Sequence, residues 1–220
     1  IVTGNYSIQV ITPVFGGGVQ PGVNDPITLI RPSSIRGHLR FWWRAVRGAR
    51  CKTVVELRQC EGMIWGTIES PSKVALEFKT KSPGKMYPCA YFPEDKNFPR
   101  FERNHPPYAL FPFQGNKREG ISPANCTSNF SFELRLTYPK SFSQDVDAAV
   151  WAWTNFGGIG ARTRRGCGAL YCKELSPERE SLISWYNSCL EGFGVELSRL
   201  QDWPTLPDRF FVRDNNSSNI

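Results

Sequence analysis

Apolar positions along the chain switch between two spacings. In residues 6–12, Tyr6, Ile8 and Val10 alternate with polar neighbours, the two-residue repeat of a strand with one buried face, and Pro13 stops it. A loop holding Gly16, Gly17 and Gly18 follows. From Ile35 the spacing lengthens, so that Ile35, Leu39, Trp42, Trp43 and Val46 share one stripe at about 100° per residue. That predicts a helix, with Ser33 or Ser34 as its cap. Residues 54–66 form a second amphipathic stretch, and residues 73–79 alternate again as a strand. Residues 82–128 are rich in Pro, Gly and Asn and read as a long insertion, with a short strand at 108–111. The strongest strand pattern is 130–138, where Phe130, Phe132, Leu134, Leu136 and Tyr138 alternate strictly. A helix over 145–156 places Val146, Ala149, Val150 and Trp153 on one face, and residues 168–173 supply a last strand. Strand, helix, strand, strand, helix, strand predicts an α+β ferredoxin-like (RRM-like) sandwich over residues 1–175, with 82–128 as a loop insertion. Residues 176–220 are expected to add a C-terminal helix, over 177–193 with Pro177 in its first turn, and a polar tail.

Composition agrees with a packed domain: 40% of the 220 residues are hydrophobic and 13% aromatic. No apolar run is long enough to cross a bilayer, so no membrane partner is expected. The seven cysteines, at 51, 60, 89, 126, 167, 172 and 189, are odd in number and contain no CxxC pair. Neither a zinc site nor a disulfide framework is implied, and reduced thiols of a cytoplasmic protein fit best. No cofactor is expected. The Asn-x-Ser/Thr triplets at Asn5, Asn125, Asn129 and Asn216 read as chance occurrences.

Charge changes the picture more than composition does. The net charge is +7, yet residues 31–52 hold seven basic residues and no acid, and residues 162–173 hold four and no acid. The rest of the chain is net negative. A positive field focused on two segments favours a polyanionic partner, with nucleic acid first among them. On the first helix Arg36, Arg40, Arg44 and Arg47 fall beside the apolar stripe. The tryptophan side can close a core while the arginine side faces an anion, and the helix start near Ser33 and Ser34 offers free amides to a phosphate. In the second segment, Gly157, Gly158, Gly160, Gly166 and Gly168 alternate with Arg162, Arg164 and Arg165. Glycine lets a backbone turn sharply and approach a ligand, and guanidinium groups fork onto phosphate oxygens. A dinucleotide fingerprint fails here because Thr163 stands where the third glycine belongs and the segment closes a helix. No Walker lysine motif is present. RGCGALYC has the spacing of an RNA-recognition signature, but Cys167, Ala169 and Cys172 occupy its aromatic positions. In a ferredoxin-like fold the two clusters are expected to line one groove.

The stretches TPVFGGG, IRPSSIRGHLRFWWRA and WAWTNFGGIGARTRRGCGAL together resemble the first-subunit family of the Cmr-type (type III-B) CRISPR effector, within the repeat-associated mysterious protein (RAMP) superfamily. The resemblance runs from about residue 6 to 172. It implies a ferredoxin-like RNA-binding subunit, not an enzyme, acting in antiviral defence. Such a subunit sits near the 3′ part of the guide (CRISPR) RNA in a ribonucleoprotein, assists capture of target RNA and contacts other subunits of the complex. By motif match the guide-contacting positions are Arg31, Ser33, Ser34, Arg36, Arg40 and Arg44 in the first segment. In the second they are Gly158, Gly160, Arg162, Arg164 and Arg165. Members of that family usually carry two ferredoxin-like units, whereas this sequence shows one.

A catalytic alternative rests on two residues. Relatives in the superfamily cut RNA, some with a histidine as general acid or base and some with an aspartate in the loop after the first strand. His38 stands beside the arginine stripe, and Asp25 falls where that aspartate would lie, so a metal-dependent endonuclease using Asp25 or His38 is the competing expectation. The plain readings are a helix-surface histidine and a turn aspartate.

Overall fold

A computed structural model describes residues 1–16, 24–25, 28–101, 107–177, 182–195, 197 and 202–207. In chain order the elements are β1 (Val2–Val10), α1 (Pro32–Ala45), α2 (Val54–Trp65), β2 (Ala75–Ser82), β3 (Lys85–Pro88), β4 (Ala90–Tyr91) and β5 (Arg100–Phe101). There follow α3 (Pro107–Leu110), β6 (Asn125–Ser128), β7 (Ser131–Tyr138), α4 (Ser143–Phe156), β8 (Leu170–Tyr171) and α5 (Leu182–Gly192). Four strands make an antiparallel sheet in the order β2-β7-β1-β8. With α1 and α4 as the two crossovers, this is the ferredoxin-like α+β order the periodicity implies.

The alternation along β7 decides which face is covered. Phe132, Leu134, Leu136 and Tyr138 are buried, as are Ile8 and Val10 on β1. They meet Ile35, Leu39 and Trp43 of α1, Val146, Ala149, Val150 and Trp153 of α4, and Leu57, Ile64 and Trp65 of α2 in one core. α4 is buried on its other side too. Trp151 and Ala152 pack with Tyr186 of α5 and with Leu206, so the C-terminal helix closes the outer face of α4.

Several expectations shift. β1 begins at Val2, where its ladder with β7 starts opposite Tyr138, and Gly4 leaves space for the Tyr6 phenol: a Cβ there would lie 2.7 Å from its oxygen. The Tyr6 and Tyr138 hydroxyls then both donate to Asp147 Oδ1, at 3.0 and 2.7 Å. The first helix starts at Pro32, with Arg31 as its cap and Ser33 and Ser34 inside its first turn. Proline supplies the helical φ and has no N–H to leave unpaired there, so it displaces the serines from the capping position. The expected strand at 108–111 is instead the single helical turn α3 running into a 3-10 turn at Phe111–Phe113. Of the expected helix over 177–193, residues 178–181 lie outside the described residues. Gly17, Gly18 and His105 do as well.

The insertion has structure of its own. β3 pairs with β6, β4 pairs with β5, and a second core gathers Cys89, Ala90, Leu110, Ala124 and Cys126. Phe15, from the segment after β1, and Cys167, from the loop before β8, belong to the same core. Phe15 stacks on Phe113 at 4.2 Å between ring centroids. Burial pushes the Cys89 thiol up to about 11 and raises that of Cys167, so both are packing groups rather than thiolates near neutrality.

A buried ionic knot ties the helices together at one end. Trp43 Nε1 donates to Asp145 Oδ1 at 2.8 Å, and the same oxygen takes Arg47 Nε at 3.3 Å and Arg50 Nη2 at 3.5 Å. Arg47 also donates to the carbonyls of Phe193 and Gly194, at 2.9 and 2.6 Å. Asp145 and Arg47 are 7% and 8% exposed at the side chain, so removing one charge leaves the other in a place water cannot reach. Asp145→Asn keeps an acceptor for Trp43 but strands the Arg47 charge. It is expected to lower unfolding free energy by about 3 kcal/mol, read from the midpoint of urea denaturation. An unchanged midpoint would show that the knot contributes nothing to the fold.

Candidate nucleic-acid interface

The arginines of α1 are mostly occupied within the protein. Arg40 Nε and Arg44 Nη1 both donate to Oε1 of Glu61 on α2, at 2.6 and 2.7 Å, and the Glu61 side chain is 7% exposed. Arg40 Nη1 also reaches the Gly66 carbonyl at 3.4 Å, and Arg36 Nη1 the Val74 carbonyl at 3.2 Å. The stripe therefore faces α2 and the turn after it. A carboxylate with two guanidinium groups is well satisfied when buried, and it draws both cations inward. Arg31 lies 3.4 Å from Asp25 Oδ2, and Asp25 Oδ1 accepts the Thr28 amide at 2.9 Å. The Asp25 carboxylate is thus a turn cap and an ion-pair partner.

The glycine-rich loop is built differently. α4 ends where the Gly157 amide bonds the Trp153 carbonyl at 3.0 Å, and Trp153 Nε1 donates to the Gly158 carbonyl at 3.1 Å. The loop then closes on itself through Ile159 N–H to the Gly168 carbonyl at 2.9 Å. It is pinned to the segment after β1 as well. Ala161 N–H donates to the Phe15 carbonyl at 2.9 Å, Gly168 N–H to the Pro13 carbonyl at 3.0 Å, and the Thr12 hydroxyl to the Gly166 carbonyl at 2.6 Å. Gly160 has φ +86°, and a Cβ there would stand 2.5 Å from the Phe15 carbonyl oxygen. At Gly168 a Cβ would collide with the Ile159 carbonyl, so neither position accepts a side chain.

This frame lifts a 3-10 turn at Thr163–Arg165 away from the core, with Arg164 and Arg165 exposed. Arg162 holds a left-handed conformation at φ 59°. Its Nη2 approaches the Tyr108 carbonyl at 3.4 Å, and Arg165 Nη2 the Tyr108 hydroxyl at 3.3 Å. Among the described residues, no acid pairs with Arg162, Arg164 or Arg165.

The two clusters do not converge. The loop meets α1 on its His38 and Trp42 side: the His38 ring stacks on Trp153 at 6.0 Å, and a Cβ on Gly157 would stand 2.6 Å from Trp42 Nε1. Arg40 and Arg44 each lie two residues beyond these, about 200° round the helix. Arg40 and Arg44 thus turn toward Glu61 rather than toward the side of α1 that meets the loop. They are therefore drawn away from the channel expected from the sequence, and the loop presents a surface of its own. On its outer side Ser33 and Ser34 are exposed in the first turn of α1, and on the loop Gly160, Arg164 and Arg165 are exposed, Arg162 is half-buried and Gly158 is buried. Burial lowers the His38 pKa, so its half-buried imidazole is neutral at pH 7 and adds no charge to that surface.

Sequence reasoning passed over an aromatic edge beside the loop. Phe41 is 41% exposed and sits edge-on to Trp42 at 5.3 Å, while Phe156, the last residue of α4, is 39% exposed. The signal was present in the run Phe41, Trp42, Trp43, of which the helical stripe claims only the last two.

Comparison with known proteins agrees with this architecture. The chain is 26% identical over 191 residues to CRISPR system Cmr subunit Cmr1-2 of Pyrococcus furiosus, covering 81% of this chain and 97% of that one. It is 24% identical over 178 residues to Cmr1-1 of the same organism, covering 79% of this chain and 50% of the relative. It thus spans almost all of one relative and about half of the other. Among solved structures, the apo crystal structure of Cmr1 from Pyrococcus furiosus matches with a TM-score of 0.58 at 22% identity, over 81% of this chain and 51% of that one. A chain in the cryo-EM structure of the type III-B Cmr-beta bound to cognate target RNA matches with a TM-score of 0.55 at 15% identity, over 86% and 62%. These likenesses share the fold. The model of the RAMP superfamily matches residues 7–171, from β1 to β8, and the chain belongs to that superfamily.

Proposed function

We propose that this chain is an RNA-binding, non-catalytic subunit of a type III-B CRISPR effector complex. It would hold the sugar-phosphate backbone of the guide RNA, near its 3′ part, on the Gly157–Gly168 loop, and assist capture of target RNA beside its neighbouring subunits. The reading is supported by the similarity to Cmr1-2 and Cmr1-1 and by the likeness in fold to a Cmr complex bound to target RNA. One observation carries it furthest. The α1 arginines Arg40 and Arg44 are held inward on the one carboxylate of Glu61, whereas Arg162, Arg164 and Arg165 stand on a fixed loop with no described acid beside them.

That contrast assigns roles. Arg164 and Arg165 contact phosphates, Gly158 and Gly160 let the loop pack tightly enough to present them, and Ser33 and Ser34 offer hydroxyls, with the Ser33 amide, to the same strand. Phe41 and Phe156 offer ring faces at the edge of that surface. Arg40 and Arg44 hold α2 onto α1, and Arg36 braces the turn at Val74. Asp25, already bonded to Thr28 and Arg31, serves the loop ahead of α1.

Two variants separate these roles. Arg164→Ala is expected to weaken single-stranded RNA binding about tenfold at low salt, equally across sequences, with an unchanged melting temperature. The slope of log affinity against log salt should fall by about 0.7. Arg40→Gln is expected to do the reverse, lowering the melting temperature and leaving the affinity of the folded protein unchanged. If Arg164→Ala binds like the wild type, the loop is not the RNA site. Incubation with guide and complementary RNA, with and without Mg²⁺, is expected to leave both strands whole. Cleavage that disappears in Asp25→Ala would replace the binding reading with an enzymatic one.

A further inference from the structure

The 82–128 insertion has no part in the reading above, yet it places an aromatic ring over the loop arginines. Tyr108 is 71% exposed, while the next two residues, Ala109 and Leu110, are 5% and 3% exposed in the core of the insertion. Its backbone is anchored and its ring stands outward. Arg165 lies across that ring, with its guanidinium carbon 4.9 Å from the centroid and Nη2 3.3 Å from the hydroxyl. Arg162 fixes the same residue from behind, through the Tyr108 carbonyl at 3.4 Å. Phe111, at the end of the same turn, is 65% exposed.

We infer that Tyr108 is a base-stacking site, in which an unpaired RNA base lies on the open face of the ring while Arg165 covers the other face. The inference rests on the proposal that the loop binds an RNA backbone, and it extends that strand onto the insertion. Three physical points favour it. First, a guanidinium on one face of a tyrosine fixes the ring plane before any ligand arrives, so little rotamer freedom remains to be lost on binding. Second, phosphate-binding cations and an exposed ring a few ångströms apart match the alternation of charge and π-surface along a single strand. Third, Tyr108 is tied to the loop at two points, its hydroxyl by Arg165 and its carbonyl by Arg162, so ring and cations keep a fixed spacing. An acidic protein surface would satisfy the arginines but would leave the ring face unused. A stacked base occupies both, and because every base has a π-face the contact is tolerant of sequence.

The test is an abasic scan. A single-stranded RNA is made with one base at a time replaced by an abasic residue, and its affinity is measured for the wild type, Tyr108→Ala, Tyr108→Phe, Arg164→Ala and Arg165→Ala. In the wild type, one position is expected to show a loss of about tenfold. Tyr108→Ala should bind the intact strand about tenfold more weakly and show no further loss at that position. Tyr108→Phe, which keeps the ring and loses only the hydroxyl contact, should retain the abasic penalty. Tyr108→Ala that loses affinity equally for intact and abasic strands would overturn the inference, because the ring would then act only by holding Arg165. Unchanged binding by Tyr108→Ala alongside a loss in Arg164→Ala would overturn it too, while leaving the loop site in place. Unchanged binding by both arginine variants would remove the RNA reading itself. Tyr108 is exposed, so its variants are expected to fold, and a matching melting temperature verifies this.

Discussion

Arg40 and Arg44 reach one oxygen of Glu61, and Arg47 and Arg50 reach one oxygen of Asp145, so two buried carboxylates take up four of the cations that crowd the first helix and the turn after it. Each carboxylate sits on a different neighbour, Glu61 on α2 and Asp145 on α4. A buried acid without its cations would be costly, and so would the reverse, which makes these pairs conditions on how the three helices can be arranged. They also decide which charge is left over. The two acids offset about half of those four charges and turn Arg40, Arg44 and Arg47 inward, whereas the turn carrying Arg162, Arg164 and Arg165 has no acid beside it among the described residues.

This explains how a segment that reads as a ligand-binding helix can also hold three helices together. A stripe of arginines at helical spacing specifies a face, but it does not say whether the partner is an external phosphate or an internal glutamate. Glu61 sits in an amphipathic stretch whose sequence gives no sign that its acid will be the one turned inward. Only the packing of α2 against α1, with Leu57, Ile64 and Trp65 in the shared core, brings Glu61 beneath Arg40 and Arg44.

The ferredoxin-like order was legible because β7 and α4 each carry an unambiguous period: Phe132, Leu134 and Leu136 alternate into the core, and Val146, Ala149, Val150 and Trp153 repeat at helical spacing. The glycine-rich loop was legible because its glycines and arginines are a local pattern, and Gly160 and Gly168 do occupy positions that admit no side chain. What could not be read is non-local. Tyr108, Ala109, Leu110 and Phe111 look like a strand by residue type, yet the turn they make is set by Pro107 and by the burial of Ala109 and Leu110 against Cys89 and Cys126. The pairing of Tyr108 with Arg165 spans 57 residues of sequence and leaves no trace in either segment alone.

The second core joins these distant pieces into one working surface. Phe15 and Cys167 enter it from the segment after β1 and from the loop before β8, the same two segments that Gly168 N–H and the Thr12 hydroxyl bond together. The insertion is therefore packed against both walls of the glycine loop, and the 3-10 turn at Thr163–Arg165 is held from its two ends and from the Tyr108 side. An arginine on a loose loop would lose much of its phosphate affinity to the entropy of being ordered. Here that ordering is done during folding by apolar packing and backbone hydrogen bonds. The same packing fixes the distance from the arginines to the exposed ring of Tyr108, so under the proposed function a strand that satisfies one is already positioned for the other.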